Sequence, residues 1–359
     1  MLESVEPACA FRADMPPEEM KAWQERVRQA MQQLMHFPQA GERPAPKLVR
    51  TAQREGYRIE RWESYPFDKA ATPYLLLIPD GVSESAPAPA VFCIPGSGQT
   101  KEQLAGESSS TLAAPPAQNP GNNAMALHYV RRGFVCLASD NAGTGEQEGA
   151  YDRQQFSLKL IFKGRNYVGL GVLYRWAMLK WLMALDYVDG GRIALAGHSL
   201  GTETTMFLAL LEPAVKAVSH NDFMSDNEQR IISCFPPLDF MFNQHCHLVP
   251  GMHEWFSFPD LIAAFAPNPM LLSEGGVQAD LERIGKAYEV AGAPENYRYV
   301  HYPEYQDPAN RKYDYIPIPE GITNEEYFKY ANVVPARHFY KSELCVPWMA
   351  EALGWTGRD

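Results

Sequence analysis

The sequence lacks several features that define common protein classes. No stretch approaches about 18 apolar residues without a charge, so we expect no membrane-spanning helix. There is no basic stripe, and the formal net charge of −11 disfavours nucleic acid as a partner. The first residues contain no basic segment followed by an apolar one, as a secretion signal would. We therefore expect a cytoplasmic protein that binds neither nucleic acid nor membranes.

Cysteine pairs are also lacking. None of the six cysteines belongs to a CxxC motif, and Cys93 and Cys136 lie in apolar, strand-like runs. This placement is typical of buried, small hydrophobic side chains rather than of disulfides. Residues 234–247 contain two cysteines and two histidines, but their spacing matches no common zinc pattern. We expect neither a disulfide framework nor a metal centre.

Strand-like and helix-like segments alternate from about residue 90. Residues 89–96 (PAVFCIPG) are continuously apolar, as a parallel strand buried on both faces is. Residues 170–188 predict a long, mostly buried helix. The alternation predicts an α/β fold with a mostly parallel central sheet and helices on both faces. Before this region, residues 57–66 (YRIERWESYP) alternate apolar and polar side chains, as expected of an outer strand.

The pattern divides the chain into two parts of unequal size. Residues 1–45 are predicted to form an N-terminal extension, with an amphipathic helix at 17–36 and a Pro-rich linker. Residues 46–359 are predicted to form one large α/β domain. Two stretches after the late strands, 223–268 and 302–337, are rich in Pro and aromatic residues but lack clear periodicity. Inserts of that length in a compact domain are usually functional.

Residues 197–201 read Gly-His-Ser-Leu-Gly, a G-x-S-x-G motif between a strand-like run and a helix-like run. A serine on such a sharp strand-to-helix turn projects its hydroxyl above the sheet, and the flanking glycines make room for the turn. The N-terminus of the following helix favours negative charge there. The arrangement predicts Ser199 as a nucleophile, with His198 pointing away from its hydroxyl. A plain Gly-rich turn would explain the glycines alone.

Three segments together resemble a known family. Residues 193–211 (IALAGHSLGTETTMFLALL) are similar to the nucleophile turn of the α/β-hydrolase fold. Residues 92–107 (FCIPGSGQTKEQLAGE) resemble the oxyanion segment of bacterial hydrolases related to acetyl xylan esterases and dienelactone hydrolases. Residues 138–149 (ASDNAGTGEQEG) are similar to the Asp-x-x-Gly-x-Gly loop after the next strand. The resemblance covers about residues 55–355 and implies an α/β-hydrolase fold.

The resemblance also implies an oxyanion hole made of two backbone N–H groups. One would come from Leu200, the residue after the nucleophile. In the family the other donor follows the first glycine of the loop after the third strand, which implies Ser97 here. Pro95 stands where many relatives have histidine, and this does not affect a backbone donor. The alternative is an ordinary strand-to-loop turn.

The general base should lie C-terminal to Ser199, because the chain order in this fold is nucleophile, acid, histidine. Six histidines follow the serine: His220, His245, His247, His253, His301 and His338. The fold places the base between the last strand and the last helix, where His338 lies. His301 is the second candidate, although it lies inside a strand-like run.

The acid should lie on the loop after the strand-like residues 267–275 (PNPMLLSEG). Relatives commonly have Gly-x-x-Asp there, whereas residues 275–278 read GGVQ. Glu274 ends the run and is our first candidate. Asp280 is the second, although it could be only the N-cap of a helix. Asp222, after the preceding strand, is the third.

The resemblance implies a serine esterase that works through an acyl-enzyme and needs no metal or organic cofactor. Its expected partner is a small-molecule or carbohydrate ester, with a small acyl group such as acetyl. Aromatic side chains in the two inserts are compatible with a sugar site, and equally with packing of the inserts onto the sheet. A lactone hydrolase or a peptidase on the same triad, or a non-catalytic binding protein, are the alternatives.

Overall fold

The computed structural model describes residues 6–37, 44–67, 70–149, 152–226, 228–229 and 245–357. The chain forms two compact units. The first unit comprises Phe37–Phe156, Leu170–Ser219 and Phe339–Asp359, and the second comprises Met1–His36, Ser157–Gly169 and His220–His338. The domain boundary that the sequence places near residue 45 stays a prediction.

Most strands belong to the first unit. They are β1 (Lys47–Arg54), β2 (Tyr57–Phe67), β3 (Ala70–Pro79), β4 (Ala88–Ile94), β5 (Val135–Ser139), β6 (Val188–His198) and β7 (Val215–Asn221), whose last two residues lie in the second unit. Their order in the sheet is β1-β2-β3-β5-β4-β6-β7. The pairs β1–β2, β2–β3 and β3–β5 are antiparallel, whereas β4 runs parallel to both β5 and β6. All residues of β4 and β5 are buried, which explains their continuously apolar sequences.

The outer strand of this sheet is β1, and the prediction that residues 57–66 form it is wrong. These residues lie in β2, which pairs with β1 on one side and β3 on the other. The first five residues of β1 are exposed. A strand with solvent on both faces needs no apolar face, so its sequence carries no alternation that would reveal it.

Along the chain, the helices of the described residues come before, between and after these strands. They are α1 (Met20–Met35), α2 (Lys101–Ala105), α3 (Met125–Val130), α4 (Arg153–Phe162), α5 (Tyr167–Met183), α6 (Leu200–Leu211), α7 (Phe258–Ala263), α8 (Gln278–Val290), α9 (Asn324–Tyr330) and α10 (Ser342–Ala352). Every residue of α6 is buried. The sequence does not indicate α4, whose apolar Leu158 and Phe162 are exposed, so it has no clear apolar face.

The second unit contains the short parallel strands β8 (Met270–Leu272) and β9 (Tyr297–Tyr299). The end of β7 belongs to the same unit, where the backbone N–H of Ser273 donates to the carbonyl of His220 at 3.1 Å. The predicted N-terminal amphipathic helix is present as α1, and its buried face includes Trp23 and Val27.

Two predictions from composition can be compared with the structure. Five cysteines are free, and their side chains are buried as predicted: Cys9, Cys93, Cys136, Cys246 and Cys345. Cys234 lies outside the described residues. Within the described ranges, none of the helices combines the length and hydrophobicity that crossing a bilayer requires.

Candidate active site

Ser199 lies between the end of β6 and the start of α6, in the first unit. Its backbone has φ 50° and ψ −126°, and its side chain is half-buried. A positive φ is uncommon for a residue with a β-carbon, because the side chain then crowds the backbone. The sharp turn predicted from the G-x-S-x-G motif is therefore present, and it places Ser199 directly before the helix N-terminus.

The glycines of the motif allow close packing around this turn. A β-carbon on Gly197 would lie 2.8 Å from Cγ2 of Thr205, inside the contact distance of two carbons. A β-carbon on Gly201 would collide with the carbonyl oxygens of Ile94 and Pro95. The first turn of α6 thus packs against the backbone at the end of β4, and only glycine fits at position 201.

We expect Gly201→Ala to lower the free energy of unfolding by about 2 kcal/mol or more, because backbone oxygens cannot move aside without displacing β4. The measurement is urea unfolding followed by circular dichroism. Gly190→Ala is the matched control in β6: nothing lies within 4 Å of its added β-carbon. That control should stay within about 0.5 kcal/mol of the parent. Equal losses in both variants would contradict the packing argument.

The loop after β4 lies against the nucleophile turn. A β-carbon on Gly96 would be 3.3 Å from Cβ of Ser199. Leu200 is the first residue of α6, so its N–H has no acceptor within the helix. In the part of the chain that the structure describes, the N–H groups of Ser97 and Leu200 donate to no other protein atom. Their role as the two oxyanion donors stays a prediction.

A buried ion-pair cluster holds the Asp-x-x-Gly-x-Gly loop that follows β5. The ammonium of Lys101, which is fully buried, lies 2.9 Å from Oδ2 of Asp140 and 2.8 Å from Oε1 of Glu146. Burial lowers the pKa of Lys101, but the charges of Asp140 and Glu102 outweigh it and hold that pKa above its usual value. A β-carbon on Gly145 would lie 2.6 Å from Oδ2 of Asp140, so the motif glycine makes room for the carboxylate.

The second unit contains His338 and Glu274, which form a hydrogen bond. His338 Nδ1 lies 2.6 Å from Glu274 Oε2, and the carboxylate is fully buried, while the imidazole is 21% exposed. Asn221 Nδ2 donates to the other carboxylate oxygen at 3.2 Å. A carboxylate at Nδ1 keeps the proton on that nitrogen, which leaves Nε2 as an acceptor. This pair can therefore accept a proton and stabilise the resulting imidazolium.

Asp222, the third acid candidate, belongs to the same group. Oxygens of Asp222 and Glu274 and a ring nitrogen of His338 all lie within 4.8 Å of one another. Asp222 Oδ1 also accepts the backbone N–H of Phe223 at 2.9 Å. Burial raises the pKa of nearby Tyr302, and the negative charge of Glu274 raises it further. The phenol therefore stays neutral beside the carboxylate.

Asp280 lies elsewhere in the second unit. It is the third residue of α8, whose N-cap is Val277, so the reading of Asp280 as an N-cap is wrong. Its Oδ2 accepts the backbone N–H of Asp226 at 2.9 Å. Burial and the charge of Asp226 raise the pKa of Asp280 to about 7. The structure thus brings Glu274, rather than Asp280, to His338.

His301, the second candidate base, follows β9 by two residues and is not inside the strand as the sequence suggested. It is buried, and its Nε2 lies 3.1 Å from Oε1 of Gln278. Burial and the charge of Arg311 lower its pKa to about 4, so it is neutral at physiological pH.

Among the described residues, two groups of side chains have possible cation ligands within 4.8 Å of one another. The first group is Asp222, Glu274 and His338, and the second is Asp226, Glu228 and His253. In the second group, His253 Nε2 lies 3.1 Å from Glu228 Oε2. Each group contains one close histidine–carboxylate contact, His338 with Glu274 and His253 with Glu228.

The chain is similar to a solved structure over nearly its whole length. It is a provisionally assigned acetyl xylan esterase from Bacteroides fragilis NCTC 9343, with 37% sequence identity and a TM-score of 0.89. The match covers 98% of this chain and 92% of that chain. No curated protein sequence matches the chain.

More distant structures share the fold. A glucuronoyl esterase from Solibacter usitatus has 11% identity and a TM-score of 0.53, with coverage of 81% of this chain and 86% of that chain. A second glucuronoyl esterase, from Teredinibacter turnerae T7901, has 15% identity, a TM-score of 0.52 and coverage of 81% and 79%. At such identities the likeness concerns the fold alone.

The family assignment agrees with the sheet and the nucleophile turn described above. The predicted resemblance to α/β hydrolases of the acetyl xylan esterase type is confirmed, and the protein is a carbohydrate esterase-like α/β hydrolase. A model of the Abhydrolase family matches residues 1–351, and the chain belongs to that family.

Proposed function

We propose that the protein is a serine esterase that removes a small acyl group, such as acetyl, from a carbohydrate. In this proposal Ser199 is the nucleophile, His338 the general base and Glu274 the acid. The observation that carries the proposal is the hydrogen bond between Nδ1 of His338 and the fully buried carboxylate of Glu274. A base oriented in this way is what an otherwise weak serine nucleophile requires.

The reaction would proceed in two balanced steps. Ser199 Oγ attacks the ester carbonyl carbon while His338 Nε2 takes the hydroxyl proton. The N–H groups of Ser97 and Leu200 stabilise the oxyanion of the tetrahedral intermediate. The bond to the alcohol then breaks, and His338 returns the proton to the leaving oxygen. Water, deprotonated by the same imidazole, attacks the acyl-enzyme; the bond from the acyl carbon to Oγ then breaks, and the imidazolium returns the proton to Oγ, which releases the carboxylic acid and free Ser199.

The choice of a carbohydrate ester is supported by the relative with 37% identity, which is provisionally assigned as an acetyl xylan esterase. The aromatic residues of the late insert serve two purposes. Tyr302 and Tyr327 are fully buried in one apolar cluster with Phe223, so they pack the insert. Tyr313 and Tyr315 are exposed, at 37% and 68%. The ring of Tyr313 already packs against Tyr330, with centroids 4.7 Å apart, whereas Tyr315 donates its hydroxyl to Glu282 and offers its exposed ring for stacking on a sugar.

A substrate panel tests this proposal. We expect hydrolysis of 4-nitrophenyl acetate and release of acetate from acetylated xylo-oligosaccharides, and no cleavage of a peptide anilide. A fluorophosphonate should label one residue, which peptide mapping should identify as Ser199. A folded protein that the reagent does not label would contradict the nucleophile, whereas preference for lactones would contradict only the substrate class.

A further inference from the structure

We propose that Asn141 and Arg175 are positioning residues that set the oxyanion hole. Asn141 fixes the peptide between Gly96 and Ser97, and Arg175 fixes Asn141. The inference rests on the proposed function, because the direction of the Ser97 N–H matters only if that group stabilises an oxyanion. Both residues lie in the first unit, where Asn141 contacts the loop that follows β4 and Arg175 contacts Asn141.

The side-chain amide of Asn141 uses both of its hydrogens on this loop. Its Nδ2 lies 2.9 Å from the carbonyl oxygen of Gly96 and 3.2 Å from that of Pro95, and the residue is 2% exposed. The carbonyl of Gly96 and the N–H of Ser97 belong to one trans peptide, so they point in opposite directions. A donor that holds the carbonyl therefore also sets the direction of the N–H.

The amide of Asn141 can take only one orientation here. Its Oδ1 accepts from Nη2 of Arg175 at 2.8 Å. Arginine can only donate hydrogen bonds and backbone carbonyls can only accept them. A flipped amide would turn all three hydrogen bonds into repulsive contacts, so Arg175 determines which way Asn141 faces.

Arg175 is a buried cation without a carboxylate partner in the described part of the chain, and it is 1% exposed. Its other hydrogen bonds go to neutral oxygens: the backbone carbonyl of Asp140 and the hydroxyls of Ser139 and Thr204. Burying a charge without a counterion is costly, so such a group is expected where negative charge develops. Its positive charge lies one hydrogen-bonded side chain from the proposed oxyanion donor.

The same guanidinium links the two segments that supply the proposed donors. Thr204, which accepts from Nη1 of Arg175 at 3.2 Å, lies in the first turns of α6, the helix that begins at Leu200. Asn141 contacts the loop that contains Ser97. Arg175 therefore holds the two N–H groups in a fixed relation, which is the preorganisation that oxyanion stabilisation requires.

Asn141→Ala should lower kcat on the order of a hundredfold and change KM by less than about threefold. The reason is that a misdirected donor weakens binding of the transition state and leaves binding of the substrate almost unchanged. Steady-state kinetics on 4-nitrophenyl acetate measure both constants. Asn166→Ala is the matched control, because Asn166 is also 2% exposed and also bridges backbone groups, the carbonyl of Leu34 and the N–H of Gly169. The control should unfold at a lower temperature and keep its kcat.

Asn141→Asp separates positioning from folding. A carboxylate still accepts from Arg175 but cannot donate to the two carbonyls. We expect its kcat to be as low as that of Asn141→Ala although the ion pair with Arg175 is formed, because the oxygen that replaces Nδ2 repels the two carbonyls instead of holding them. A kcat within threefold of the parent in either Asn141 variant would overturn the inference. The inference would also be overturned if the loss of kcat were proportional to the loss of unfolding temperature across Asn141→Ala, Asn141→Asp and Asn166→Ala.

The parent enzyme and Ser199→Ala distinguish this failure from a failure of the proposed function. If Ser199→Ala retains turnover, the proposed nucleophile is wrong and the oxyanion argument fails with it. If Ser199→Ala is inactive and the Asn141 variants are fully active, only the positioning role is overturned.

Discussion

Ser199→Ala is expected to lower kcat for ester hydrolysis by about 10⁴- to 10⁶-fold. The variant keeps the oxyanion donors but loses the oxygen that would form the acyl-enzyme, so the covalent route disappears. Initial rates with 4-nitrophenyl acetate measure the loss. Ser85→Ala is the control, because Ser85 is exposed in the turn between β3 and β4, where its Oγ lies 3.1 Å from Oγ of Ser83. A Ser199→Ala enzyme within tenfold of the parent would refute the nucleophile.

A double variant tests whether Ser199 and His338 act on the same proton. If they do, removing either one disables the whole unit, and Ser199→Ala/His338→Ala should be no slower than Ser199→Ala alone. Independent contributions would instead multiply, and the double variant would be slower by the full factor of His338→Ala. Fluorophosphonate labelling gives a second measurement, since the hydroxyl of Ser199 should react far more slowly in His338→Ala than in the parent.

The parts of the site that sequence predicts best are those built from neighbouring residues. The turn at Ser199 needs only a buried strand, two glycines and a helix in order, and all of these lie in residues 193–211. The helix α1 and the buried strands β4 and β5 are equally local in origin. By contrast β1 has no apolar face, so nothing in its sequence distinguishes it from a loop.

The choice of acid depends on a contact that no local pattern contains. Glu274 and His338 are 64 residues apart, and the spacing of Gly, Val and Gln after Glu274 differs from the usual family motif. Asn141 and Arg175 were missed for a related reason, because each is a single polar residue. The one signal was an arginine in the middle of the apolar run of α5, which predicts a buried charge that must find hydrogen-bond acceptors.

Glu274→Gln is expected to lower kcat by about 10³- to 10⁴-fold. The amide keeps the size of the side chain but cannot stabilise an imidazolium, and its NH₂ can donate to Nδ1 and stabilise the wrong tautomer of His338. Kinetics on 4-nitrophenyl acetate measure the loss, while circular dichroism checks that the fold is retained. A fully active Glu274→Gln would contradict the assignment of Glu274.

The two other acids supply the controls for this assignment. Asp280→Asn should keep kcat within about threefold of the parent, because its carboxylate bonds to the backbone of Asp226 rather than to a histidine. Asp222 is a sharper test, since its oxygens lie close to both Glu274 and His338. If Asp222 can replace Glu274, then Glu274→Gln retains activity that disappears in Glu274→Gln/Asp222→Asn. If Glu274 acts alone, adding Asp222→Asn costs nothing further, because the imidazole has already lost the one carboxylate that orients it.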